Sequence, residues 1–93
     1  MATPMMPAGL ALARTTPVFT ATTVPDGLRR AHEVADGVWG RLVVSAGTVR
    51  FVFEDEPATP IDVATGGSVD IPPRRRHHVE PADDAAFTVE FHR

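Results

Sequence analysis

The sequence predicts an all-β domain of about eight short strands, arranged as a small barrel or a jelly-roll sandwich. Apolar residues recur with a period of two in short runs, as in strands that bury one face. The 9 prolines and 7 glycines break these runs at close spacing, which is typical of tight turns. No segment of ten or more residues carries an apolar stripe of helical period. We therefore expect no α-helix.

Two segments show the strand pattern most clearly. Residues 48–54 place Val49, Phe51 and Phe53 on one face, and polar residues occupy part of the other. Residues 85–93 repeat the alternation, with apolar side chains on one face: Phe87, Val89 and Phe91. Both segments are predicted to be strands that face the core.

The segment 39–53 contains two strand-like runs around the short turn Ser45-Ala46-Gly47, which predicts a β-hairpin in which Gly47 supplies a positive φ. Upstream, Thr and Val favour an extended chain over 16–25. The segment 26–34 that follows is expected to form either one helical turn or a strand. Downstream, turn residues separate further short strands, expected over 61–63, over 68–71 and from 77 onward.

Length and composition exclude several classes of protein. With 93 residues the chain is expected to form one domain, and without cysteine it has neither disulfides nor a thiolate metal site. A net charge of −3 argues against a nucleic-acid-binding protein. No apolar run is long enough to span a membrane, and no signal peptide is recognisable, so a cytoplasmic protein is expected.

Short motifs follow one another in a defined order from Met6 onward. They are Thr16-Pro17, Pro25 with Leu28, His32, Gly-Val-Trp-Gly at 37–40, Val44, Gly47, Pro73, His77, Glu80, Asp83-Asp84 and the closing run 87–91. This order resembles the small cupin-like domain of TehB-type tellurite-resistance proteins and of the stand-alone YeaR-like proteins. The resemblance implies a single domain over 6–93, folded as a double-stranded β-helix. Residues 1–5, which precede it, are expected to form a disordered tail.

The same resemblance implies a role in stress caused by tellurite, nitrate or nitrite. It does not extend to the methyltransferase part of TehB proteins, which we expect to be missing here. The glycine-containing segment 64–68 is too short and wrongly placed to be a nucleotide-binding loop.

Cupin-like barrels commonly hold a divalent metal through inward-facing histidines and a carboxylate, a ligand set that suits Zn, Fe, Mn or Ni. The resemblance assigns this role to His32 and His77, which lie 45 residues apart in sequence. Glu90 is the expected carboxylate, with Glu80 as the alternative. Glu90 alternates with the apolar residues of its strand, so it is a ligand only if those residues pack outside the pocket.

Strand alternation separates the two adjacent histidines. If Val79 marks the core side of its strand, His77 points inward with it, while His78 points outward with Glu80. The preceding run Arg74 to Arg76 is interpreted first as solvated charge.

Capture of an anion by guanidinium groups is the alternative interpretation of the arginine run. We place Arg76 and Trp39 at a ligand pocket or along the path of an anion, and packing of the barrel is the other expected role of Trp39. A nucleic-acid role is disfavoured because no aromatic residue is interleaved with the arginines.

The leading hypothesis is a binding domain that holds a divalent metal and a small anionic ligand in oxyanion stress. Two alternatives stay open. One is a small metal-dependent cupin enzyme. The other is a metal-free domain that forms a homodimer or binds a partner through a sheet edge.

Overall fold

The computed structural model describes residues 4–30 and 32–93. Of the tail expected over 1–5, residues 1–3 lie outside the described part. The described chain forms β-strands and one short 3-10 helix, which confirms the all-β prediction. The elements are β1 Leu12–Thr15, β2 Phe19–Thr20, the 3-10 helix Asp26–Arg29, β3 Trp39–Ala46, β4 Thr48–Phe53, β5 Thr59–Ala64, β6 Ser68–Ile71, β7 His77–Pro81 and β8 Ala86–His92.

The strands form two antiparallel sheets. Sheet A has five strands in the order β1-β8-β3-β6, with β2 also paired to β8. Sheet B has three strands in the order β5-β4-β7. In the described part of the chain the sheets do not close into a barrel.

The core lies between the two sheets and follows the predicted alternation. Leu42 and Val44 of β3 and Val49, Phe51 and Phe53 of β4 are each at most 1% exposed. In β8, Phe87 and Val89 belong to the same buried cluster. Burying side chains of this size contributes about 1.5–3 kcal/mol each, so this interior is the main source of stability.

The hairpin predicted over 39–53 is wrong. Strand β3 pairs with β6 and β8, whereas β4 pairs with β5 and β7. Gly47 does have the predicted positive φ, at 63°, but it forms a corner that carries the chain from sheet A to sheet B. A single residue between strands is too short for a hairpin loop, and both strands bury an apolar face. The hairpin that forms is β4–β5.

The N-terminal part adds two strands: β2 lies within the segment 16–25 that is predicted to be extended, whereas β1 carries no apolar pattern. Strand β1 pairs with β8 although all four of its residues are exposed. The 3-10 helix confirms the helical-turn alternative for the segment that follows β2. Within the described residues, no helix has the length and apolar character needed to cross a membrane.

Candidate functional site

A backbone bridge brings His32 and His77 together at the edge of β7. The amide of His32 donates to the carbonyl of His77 at 2.8 Å, and the amide of His77 donates back at 3.0 Å. Their ring centroids are 5.4 Å apart, with the ring planes at 84°. The expectation that the fold closes the sequence separation between these two histidines is confirmed.

His77 is a buried imidazole held in one tautomer. It is 2% exposed, and its ring stacks on Phe51 with centroids 5.2 Å apart. The ring Nδ1 lies 2.9 Å from the carbonyl oxygen of Arg75, which only accepts hydrogen bonds, so Nδ1 is the donor. Burial lowers the pKa of His77, which favours the neutral ring. The lone pair of Nε2 is thereby left free of a proton.

His78 faces the opposite way, as strand alternation predicted. Its Nδ1 lies 2.8 Å from an oxygen of Glu54, and its Nε2 lies 2.7 Å from an oxygen of Glu80. All three side chains are on the outer face of sheet B. Parity along β7 therefore separates the two adjacent histidines into an interior one and a surface one.

The side chain of Arg75 anchors the turn that positions His77. Its guanidinium carbon lies 3.7 Å from the centroid of the Phe53 ring. Its nitrogens contact both carboxylate oxygens of Asp55, at 2.5 and 3.3 Å. The hydrogen bond with Arg75 lowers the pKa of Asp55, which keeps the carboxylate charged. This clamp fixes the turn whose carbonyl orients the imidazole of His77.

The histidine pair lies between an internal cavity and the surface. The cavity has a volume of about 20 Å³ and is otherwise lined by apolar residues, including Phe51, Val79 and Phe91. One water molecule needs roughly 10–15 Å³, so this space holds one small species. Two surface clefts, of about 510 and 310 Å³, adjoin it, and both are lined by His32 and Phe91.

The structure does not bring either predicted carboxylate to the histidine pair. Glu90 lies on the outer face of sheet A and accepts a hydrogen bond from His92 at 3.0 Å. The apolar residues with which it alternates are in the core. Glu80 lies on the outer face of sheet B beside His78. Among the described residues, no group of three His, Cys, Asp or Glu side chains is arranged to hold a metal.

Trp39 and Arg76 line neither the small cavity nor the two clefts beside the pair. Trp39 is half-buried and belongs to the outward-facing set of β3, whereas Val38 packs against the core and lines the larger cleft. Arg76 is mostly exposed, and its Nε lies 3.4 Å from Glu33, which lines the same cleft. Arg76 therefore does not line the larger cleft itself, but it contacts Glu33, which does.

The residue that sequence reasoning missed is Arg14. It lines both surface clefts, and its guanidinium carbon lies 4.9 Å from the centroid of the Phe91 ring. A single arginine in an Ala- and Leu-rich segment carries no functional pattern. Only the pairing of β1 with β8 brings it to the clefts.

The chain is similar to known proteins in both sequence and structure. A family model described as the TehB-like domain matches residues 14–89. A crystal structure of a protein from E. coli (strain K12) has a TM-score of 0.87 and 27% identity, over 97% of this chain and 96% of that chain. TehB from Haemophilus influenzae has a TM-score of 0.83 and 25% identity, over 94% of this chain. The match spans only 32% of that TehB. No curated protein sequence matches significantly.

Proposed function

Since the chain belongs to the TehB-like domain family, which is related to tellurite resistance, we propose that it is a metal-dependent binding domain for a small anion. In this proposal His32 and His77 hold a divalent metal ion, and the anion binds beside it in the adjoining clefts. Oxyanions such as tellurite and nitrite are the inorganic candidates.

The observation that carries the proposal is the state of His77. A metal-binding histidine almost always donates its second ring N–H to a carbonyl or carboxylate, which fixes the tautomer and aims the ring. Arg75 supplies such a carbonyl to Nδ1 at 2.9 Å. Because burial lowers the pKa of His77, the ring is ready to bind a cation without first losing a proton.

The spacing of the two rings supports a shared ion. With metal–nitrogen distances of about 2.1 Å and tetrahedral angles, two imidazole centroids on one zinc ion lie about 5 Å apart. The observed distance between the centroids of His32 and His77 is 5.4 Å. No carboxylate lines the small cavity, so the remaining coordination positions fall to water or to the anion. Zn, Fe, Mn and Ni all accept imidazole, and each acts as a Lewis acid when bound.

The charges around the larger cleft suit a negatively charged ligand. Arg14 and Arg93 line it, together with one acidic residue, Glu33. Glu33 is paired with Arg76, which offsets its charge. Two cationic groups and a partly neutralised carboxylate favour entry of an anion.

We also propose that the two sheets correspond to the cupin-like double-stranded β-helix. The support is the order in which the strands alternate: β3 lies in sheet A, β4 and β5 in sheet B, β6 in A, β7 in B and β8 in A. An experimental structure in which β3 pairs directly with β4 would contradict this topology.

Metal analysis of untagged purified protein tests the metal part of the proposal. We expect close to one equivalent of a transition metal per chain, and its loss in the double variant His32→Ala with His77→Ala. His78→Ala is the matched control, because it removes an imidazole one residue away that faces outward. Equal metal content in the double variant and in the control would show that the pair is not the site.

A further inference from the structure

We propose that the anion taken by this site is an organic carboxylate with an apolar arm, and that Arg14 is the residue that binds its carboxylate. The inference deepens the proposed function, since it names the ligand class for the clefts beside the histidine pair. It rests on the charge of Arg14 and on the size and lining of the clefts.

Arg14 is positioned by strand pairing and lacks a carboxylate partner. Its Cα is opposite that of Phe91 in the β1–β8 ladder, and its guanidinium rests over the Phe91 ring. By contrast, Arg41, Arg50 and Arg75 have carboxylate oxygens at 2.7, 3.0 and 2.5 Å. Within residues 4–30 and 32–93, no carboxylate lies within 4.0 Å of the Arg14 guanidinium. Its hydrogen-bond donors are therefore available to a bound ligand.

The two clefts meet at Arg14. They have volumes of about 510 and 310 Å³, and the residues common to both are Arg14, His32 and Phe91. A guanidinium at the boundary of two clefts can grip a carboxylate in one while the rest of the ligand lies in the other.

The size and chemistry of the clefts select among anions. Sites for small organic molecules commonly have volumes of about 300–1,000 Å³, a range that includes both clefts. An inorganic oxyanion of three to four heavy atoms leaves most of that space empty. The smaller cleft is lined mainly by apolar and proline residues, with which an inorganic anion makes no favourable apolar contact: Pro17, Phe19, Pro25, Leu28, Val89 and Phe91. An apolar arm attached to the carboxylate gains from covering them.

Titration of the zinc-loaded and of the metal-free protein with benzoate, acetate, nitrite and tellurite, followed by amide NMR shifts, tests this inference. We expect benzoate to bind at least about tenfold more tightly than acetate or either inorganic anion, since its ring removes apolar surface from water. The shifts should map to β1, β8 and the 3-10 helix. Arg14→Gln should abolish binding and Arg14→Lys should restore part of it. Arg50→Gln, which changes an exposed arginine that is paired with Asp62 and lines neither cleft, should leave binding unchanged.

Equal affinity for nitrite, tellurite and benzoate would overturn the organic-ligand assignment, and unchanged binding in Arg14→Gln would overturn the role of Arg14. The amide spectrum of each variant reports whether it is folded. Binding of benzoate to the metal-free protein would support this inference even if His32 and His77 bind no metal. Metal binding with no benzoate binding in either form of the protein would contradict this inference alone.

Discussion

Replacement of Gly47 by alanine tests the corner that carries the chain between the sheets. Its φ of 63° costs an L-residue roughly 1–2 kcal/mol. The new Cβ would stand 2.6 Å from Oδ1 of Asp84 and 2.9 Å from Cα and N of Ala85. The Asp84 side chain can rotate away, but the Ala85 backbone is held where β8 begins. Relief of the clash with Ala85 therefore requires a main-chain shift, which costs about 1–3 kcal/mol. We expect the free energy of unfolding to fall by about 2–5 kcal/mol in total.

Urea unfolding followed by Trp39 fluorescence measures this change. Gly66→Ala is the matched control, because Gly66 has a φ of 87° but nothing within 4 Å of an added Cβ. It should cost only the conformational part, roughly 1–2 kcal/mol. The difference between the two variants isolates the close approach of Gly47 to the start of β8. If Gly47→Ala is no more destabilising than Gly66→Ala, the packing described for this corner is refuted.

Two further predictions concern the residues around His77, and urea unfolding measures both. Arg75→Ala should lower the free energy of unfolding by about 1–2 kcal/mol, because it removes a cation–π contact with Phe53 and a bidentate ion pair with Asp55. The control Arg76→Ala, at an exposed position, should lower it by at most about 0.5 kcal/mol. Equal losses in the two variants would contradict the role of Arg75 in holding the turn. Partial burial lowers the pKa of His78, but hydrogen bonds to Glu80 and Glu54 outweigh it, so the pKa is raised overall. The contribution of His78 to the free energy of unfolding is then complete below its ordinary pKa of about 6.5 and is lost as pH rises through the raised pKa. His78→Gln should therefore lower the free energy of unfolding more near pH 5.5 than near pH 8.5. A loss that does not depend on pH would show that the ion pairs do not contribute.

Strand existence and strand parity could be predicted from the sequence because both follow from the alternation of apolar residues. The period of two marked β4 and β8, and it assigned His77 to the interior and His78 to the surface. The convergence of His32 and His77 was anticipated through the family resemblance rather than through any local pattern. Only the fold closes their separation.

Strand pairing could not be predicted from the same signals. Alternation states which face of a strand is buried but not which strand lies beside it, so the corner at Gly47 was interpreted as a hairpin. Strand β1 was missed because its four residues are exposed and it has no buried face to leave a pattern. Arg14 was missed with it.

The proposed function depends most on one metal ion that His32 and His77 share. An anomalous difference map from crystals of untagged protein grown with Zn²⁺ tests it most directly. We expect one peak about 2.0–2.2 Å from a ring nitrogen of each histidine, on the Nε2 side of His77. A map with no peak between them, or with zinc only at the surface group formed by His78, Glu54 and Glu80, would contradict the claim.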